Sequence, residues 1–168
     1  AEHGANYPLV MHSFAEASEA LGYDLWALIQ QGPEALLNQT DKTQPAILAA
    51  SIALWSLWQV EGGAMPAYLA GHSLGEYSAL VAAGSLSFAD ALRLVELRGQ
   101  LMQQAVPPGQ GGMAAILGLE DADVVAACAE AAQGDVVSAV NFNAPGQVVV
   151  AGSAAAVERA IEACKARG

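Results

Sequence analysis

Apolar residues near the start of the chain recur at helical spacing. Val10, Phe14, Ala17 and Leu21 mark one face of a helix over residues 7–21, which Gly22 ends. A shorter helical piece over residues 25–30 is stopped by Gly32-Pro33, and Pro33 opens the next turn with Glu34 suited to a helix N-terminus. Residues 41–45 read as a loop and helix start, with Pro45 early in a helix made apolar on most sides by Ile47, Leu48, Ile52, Trp55 and Leu57. Gly62-Gly63 ends it. A short apolar run over residues 68–70 predicts a strand, and an Ala-rich segment over 74–83 predicts a helix. Helix, strand, helix in that order fits a layered α/β domain.

Ser87 and Asp90 have the spacing of a capping box, opening a helix to Ala105. The run Pro107-Pro108-Gly109-Gln110-Gly111-Gly112 is the clearest linker and predicts a boundary between 1–106 and 107–168. Beyond it the pattern changes. Residues 113–117, 136–141 and 147–151 read as strands, the last two separated by a Pro-Gly turn, and residues 121–132 and 154–167 read as helices. The order β-α-β-β-α is that of a ferredoxin-like split βαβ unit lacking its last strand.

The most informative stretch lies between the predicted strand and helix at 68–83. Gly71-His72-Ser73-Leu74-Gly75 has the layout of a nucleophile elbow, with a serine on a sharp turn between strand and helix. Glycines on both sides are expected because a side chain at either position would crowd so tight a turn. Ser73 needs a base to take its proton. The chain offers only His3, His12 and His72. His72 is adjacent and projects differently, and the other two lie in the N-terminal region with no acidic orienter at a telling spacing.

On the helix over 88–105, Arg98 falls within the apolar face of Ala91, Leu94, Val95, Leu101, Met102 and Ala105. A guanidinium on a buried face requires a partner, either an acid such as Glu76 or a ligand carboxylate held at two points. Gln44 reads as a loop amide. Asn141 and Asn143 read as turn residues beside Pro145-Gly146.

Charge and cysteine usage narrow the classes. The 168 residues carry 17 acidic and 6 basic side chains, a formal net charge of −11, which disfavours nucleic acid and anionic membranes as partners. The longest uncharged stretch, 43–60, is broken by Gln44, Ser51, Ser56 and Gln59 and is short for a membrane span. Cys128 and Cys164 fall on helical apolar faces and read as reduced core residues of a cytoplasmic protein. No Cys/His ligand spacing supports a metal site. Hydrophobic residues are 54% and charged residues 14%, apolar enough to predict surface that other polypeptide covers.

Three motifs in order resemble the malonyl-CoA:acyl carrier protein transacylase family: residues 71–80 (Gly71-His72-Ser73-Leu74-Gly75-Glu76-Tyr77-Ser78-Ala79-Leu80), 93–99 (Arg93-Leu94-Val95-Glu96-Leu97-Arg98-Gly99), and 141–152, beginning Asn141-Phe142-Asn143-Ala144-Pro145-Gly146. Leu21-Gly22-Tyr23-Asp24-Leu25-Trp26 extends the likeness toward the start. The resemblance implies an α/β fold in which 1–106 is part of an α/β-hydrolase-like large subdomain and 107–168 an incomplete ferredoxin-like one. It implies that Ser73 takes the malonyl group as an ester and that the Leu74 N–H serves the oxyanion hole. Arg98 would hold the malonyl carboxylate with support from Gln44. His72, Met102, Asn141 and Asn143 would line the substrate site, the two asparagines at the path of the pantetheine arm.

The implied substrates and partners are malonyl-CoA and acyl carrier protein, with no cofactor. The family's opening Gly-Gln-Gly-Ser-Gln loop and its catalytic histidine are not matched, so the resemblance implies an interior segment that is at best a poor catalyst alone. Two other readings remain: a serine esterase or thioesterase, for which a buried Arg98 has no use, and an inert fragment docking an acidic carrier protein through Lys165 and Arg167.

Overall fold

The computed structural model describes residues 8–107 and 109–168. His3 and the expected helix start at Tyr7 lie outside the described residues, as does Pro108 of the linker. The chain divides into two compact units, the first ending at Ala105 and the second being Val106–Gly168, one residue before the expected boundary.

The regular elements of the described first unit are all helices: α1 (Pro8–Leu21), α2 (Leu25–Gln31), α3 (Glu34–Leu37), α4 (Thr40–Val60), α5 (Leu74–Ala82) and α6 (Phe88–Ala105). Local chemistry sets several ends. Asp24 caps α2 by accepting from the Ala27 N–H at 2.8 Å. The expected cap of α6 forms, with the Asp90 N–H donating to Ser87 Oγ at 3.1 Å and the Ser87 hydroxyl donating to Asp90 at 2.6 Å. Helix α4 is central. Its Leu48, Ala49, Ile52 and Ala53 pack with Val10, Phe14 and Ala17 of α1, Leu25 of α2, and Ala91, Leu92 and Val95 of α6.

Three expectations fail here. Residues 68–70 form no strand, because a strand needs a neighbouring strand for its backbone hydrogen bonds and the described first unit has none. Tyr68 is accordingly 93% exposed. The loop expected at 41–45 is already helix: α4 starts at Thr40 and carries Pro45 inside. The face of α6 given to the core is also narrower than the apolar pattern suggested. Ala91, Leu92, Val95 and Gly99 are buried, while Leu94, Leu101 and Met102 are exposed. Ile47, Leu54 and Trp58 of α4 are exposed as well, in line with the apolar surplus in the composition.

The second unit runs β1 (Gly111–Leu117), α7 (Asp121–Ala132), β2 (Val137–Ala144), β3 (Gln147–Ser153) and α8 (Ala154–Lys165). The sheet order is β1-β3-β2, with β3 antiparallel to both neighbours, so β1 and β2 run parallel on either side of it. Ile116, Val148 and Val150 point into a core completed by Val124, Ala127 and Cys128 of α7 and Val157, Ala160 and Cys164 of α8. Alternation leaves Met113, Leu117 and Phe142 exposed. Both cysteines are free and buried, and burial raises both thiol pKa values. Strand β2 extends past its expected end, so Asn141 and Asn143 are strand rather than turn residues; Asn141 pairs with Val149.

The molecule is thus mixed α/β with a small antiparallel sheet. No described helix is long and apolar enough to cross a membrane.

Candidate active site

Ser73 stands at the N-cap of α5 with φ 54° and ψ −111°, a backbone conformation that non-glycine residues rarely adopt. The turn is closed by the Gly75 N–H donating to the His72 carbonyl at 2.9 Å and the Glu76 N–H donating to the Ser73 carbonyl at 3.3 Å. The Leu74 N–H makes neither of these bonds and heads the helix directly after the serine. The elbow therefore forms without the strand expected before it.

Only one of the two flanking glycines is required by space within this chain. A methyl group at Gly71 would lie 1.9 Å from the Gly75 carbonyl carbon and 2.4 Å from the Glu76 nitrogen. At Gly75 nothing lies within 4 Å. The expectation that both positions crowd the turn is corrected: the backbone at Gly75 is what Gly71 packs against.

Arg98 reaches the elbow from α6. Its Nη2 donates to Ser73 Oγ at 2.8 Å and its Nη1 donates to Gln44 Oε1 at 2.5 Å. The guanidinium is half-buried rather than sunk in an apolar face, and no described carboxylate pairs with it, Glu76 included. Gln44 lies in α4, not in a loop, and is only 5% exposed. Its amide group is fixed by donation to Thr40 Oγ1 at 2.9 Å and to Met102 Sδ at 3.5 Å. Ser73, Arg98, Gln44 and Met102 are thus one connected cluster. Beside it, Tyr77, Leu94, Leu97, Leu101 and Met102 line an open apolar hollow that includes Arg98.

The other expected residues are placed differently. His72 is exposed, and among the described residues its side chain makes no hydrogen bond. Neither it nor His12, exposed on α1, reaches Ser73 Oγ. Asn141 and Asn143 lie on β2 of the second unit. Lys165 and Arg167 are already paired, with Glu162 at 2.8 Å and Glu130 at 2.6 Å, which leaves little basic surface for docking an acidic partner.

Beneath the site, a polar cluster went unread in the sequence. Asp41, 8% exposed, accepts from Gln103 Nε2 at 2.9 Å, and Lys42 Nζ donates to Glu96 at 2.7 Å and lies 3.3 Å from Asp41. Burial works against the Lys42 ammonium, but its bond to Glu96 and the nearby Tyr23 and Asp41 hold its pKa above the ordinary lysine value. Burial pushes the Tyr23 phenol up to about 12, against the opposing charge of Lys42. The only available signal was the placement of Glu96 and Gln103 on one stripe of α6, three residues before and four after Gly99.

Comparison with known proteins follows the same lines. The profile of the family described as acyl transferase domain matches residues 10–168. The malonyl CoA-acyl carrier protein transacylase of Salmonella typhimurium is 67% identical over 168 residues, which is all of this chain and 54% of that protein. A solved structure of a type II PKS acyl-carrier protein in complex with its malonyl-transacylase is 62% identical, with a TM-score of 0.95 over 98% of this chain and 53% of the other. The malonyl CoA-acyl carrier protein transacylase of Coxiella burnetii is 50% identical, with a TM-score of 0.97 over 99% of this chain and 53% of the other. The chain spans about half the length of the curated relatives it matches.

Proposed function

The chain belongs to the acyl transferase domain family, and from that premise we propose that it carries the nucleophile and the acyl-carboxylate grip of a malonyl-CoA:acyl carrier protein transacylase. Ser73 Oγ attacks the thioester carbonyl of malonyl-CoA, and the Leu74 N–H faces the oxyanion that forms. The carbon–sulfur bond breaks, and CoA departs as the thiol with the proton taken from Ser73. In the second half, the phosphopantetheine thiol of the carrier protein attacks the ester and returns the proton to Ser73. The chemistry requires only protein groups and the two substrates.

The observation that carries this reading is the pairing of Arg98 with two neutral partners. A guanidinium bound to a carboxylate would be neutralised; bound to an amide oxygen and a hydroxyl it keeps its full charge beside the nucleophile. That is the requirement for an acyl group ending in a carboxylate, and a hydrolase of neutral esters has no use for it. In this reading malonyl displaces Ser73 Oγ from Nη2 and frees the hydroxyl to react. The base for Ser73 belongs, by family resemblance, to the length of the relatives that this chain does not match. We place the protein in the cytoplasm, with fatty acid synthesis.

The finer fold follows the same premise. We read the first unit as part of an α/β-hydrolase-like subdomain. The β1-β3-β2 order of the second fits a ferredoxin-like unit whose fourth strand would pair along the free edge of β1. By the family resemblance, His72 and Met102 of the first unit are assigned to substrate binding, and Asn141 and Asn143 on β2 carry the same assignment on that resemblance alone.

Intact mass of the protein that carries this chain, taken before and after brief exposure to malonyl-CoA, tests the proposal. The expected result is a gain of one malonyl unit that Ser73→Ala abolishes and that acetyl-CoA reproduces far more slowly. No adduct, an adduct that survives Ser73→Ala, or equal labelling by both thioesters overturns it.

A further inference from the structure

We propose that Gly99, with the polar contacts on either side of it, is the positioning device that sets the reach of Arg98 to Ser73, and so the preference for a carboxylate-bearing acyl group. The inference rests on the reading of Arg98 as the carboxylate grip. A methyl group at Gly99 would lie 2.4 Å from Asp41 Cα, 2.5 Å from Asp41 N and 2.8 Å from the Thr40 carbonyl carbon. All three are backbone atoms of the first turn of α4, so no side chain can swing aside to make room. The absence of a side chain at Gly99 lets two helix backbones touch there.

Polar contacts bracket this touch. Three residues earlier on α6, Glu96 accepts from Lys42 at 2.7 Å; four residues later, Gln103 donates to Asp41 at 2.9 Å. Glu96, Gly99 and Gln103 share one stripe of α6, so the first turn of α4 is held at three successive points. The same turn supplies Thr40, whose hydroxyl accepts from Gln44, and Gln44 in turn accepts from Arg98. Arg98 is the residue before Gly99. Its guanidinium therefore hangs from the helix that the contact locates, and its orienting amide hangs from the helix against which it is located.

A side chain at Gly99 would stand about 1 Å inside ordinary contact distance from Asp41. Relief by separating α6 from α4 draws Arg98 off both Gln44 and Ser73. A misplacement of that size at a reacting site costs on the order of 100-fold in rate. An acetyl group, which makes no use of the guanidinium, should be spared.

The test measures rates of Ser73 acylation by malonyl-CoA and by acetyl-CoA, read as intact-mass adducts on the protein that carries this chain. Unfolding curves on the same samples report whether each variant is folded. Gly99→Ala is expected to lower the malonyl-to-acetyl rate ratio by about 100-fold, with the acetyl rate held within about threefold. Gln103→Ala, which adds no volume, is expected to lower the ratio by about fivefold, the worth of one ordinary hydrogen bond. In an Arg98→Ala background both changes should leave the ratio where Arg98→Ala alone puts it, because residues acting through one group do not add.

If the unaltered protein shows no malonyl preference, the reading of Arg98 fails and this inference with it. If it shows one that Arg98→Ala removes, but folded Gly99→Ala keeps it or lowers it equally in the Arg98→Ala background, the inference alone is overturned. Should Gly99→Ala not fold, Gln103→Ala decides: an unchanged ratio overturns the inference.

Discussion

Substituting Gln44 by Glu is nearly isosteric but changes the electrostatics of Arg98 completely. Gln44 Oε1 accepts from Arg98 Nη1 at 2.5 Å, and the amide is only 5% exposed. As an amide it orients the guanidinium without cancelling its charge. A carboxylate in its place would form an internal ion pair that a substrate carboxylate must then compete against. At 4 Å and an effective dielectric of about 20, two unit charges interact by about 4 kcal/mol. Arg98 is partly exposed beside an open hollow, so solvent screening reduces this by about half, leaving about 2 kcal/mol. At 1.4 kcal/mol per factor of ten, that is about a thirtyfold rise in KM for malonyl-CoA.

Steady-state or single-turnover acylation with malonyl-CoA and acetyl-CoA in parallel supplies the assay. Acetyl has no carboxylate, so its acylation should change little. This control matters because Gln44→Glu also loses the amide donation to Thr40 and Met102. An unchanged malonyl KM would refute the claim that Arg98 needs its charge uncancelled. An equal fall for both thioesters would show that the variant disturbs Ser73 itself.

Other outcomes follow from the same geometry. Arg98→Ala should lower malonyl transfer by about 100-fold through loss of a charge-assisted grip worth about 1.5–3 kcal/mol in all, while acetyl transfer gains relative ground; kcat/KM for each thioester checks this. Gly71→Ala should abolish acylation of Ser73, since the methyl would overlap the Gly75 carbonyl and open the elbow; an adduct formed at the normal rate would contradict the geometry. Stability, followed as a urea midpoint, should fall between about pH 10 and 12. Folding raises both the Tyr23 and Lys42 pKa values above their ordinary 10.0 and 10.5, so their contribution is full below the unfolded values and is lost as pH climbs through the folded ones. Tyr23→Phe should shallow that loss and cost little at neutral pH, because the buried Tyr23 hydroxyl has no hydrogen-bond partner among the described residues. Ser87→Ala should cost about 1 kcal/mol through loss of the α6 cap, read as a lower urea midpoint.

Most helices were legible because their signals are local. The 3.6-residue period of α1, the capping box of α6 and the glycine stops of α1 and α2 each depend on residues within a turn or two. The turn at Ser73 was legible for the same reason, since a serine on a glycine-bounded turn before a helix is a local pattern. The family resemblance added roles to Arg98 and Gln44 that periodicity alone left open.

Where the reading failed, the deciding partner was distant in sequence. The apolar run at 68–70 has strand chemistry, but a strand is a property of a pair, and the described first unit offers no neighbour. Residues 41–45 read as a loop leading into a helix with Pro45 at an early position, but α4 begins sooner, at Thr40. Asp41 and Gln44 are buried there and bonded to Gln103 and Arg98 of α6, tertiary contacts that favour the earlier helix start. The apolar stripe around Arg98 predicted too deep a burial, since which part of a stripe is covered depends on how closely two helix axes approach. At Gly99 that approach is set by the backbone of Asp41, 58 residues earlier in the chain. The sequence by itself therefore determined most of the helices and the turn that carries Ser73. Tertiary structure decided the contact of α4 with α6 that brings Gln44 and Arg98 to Ser73, because only packing fixes distances between groups so far apart along the chain.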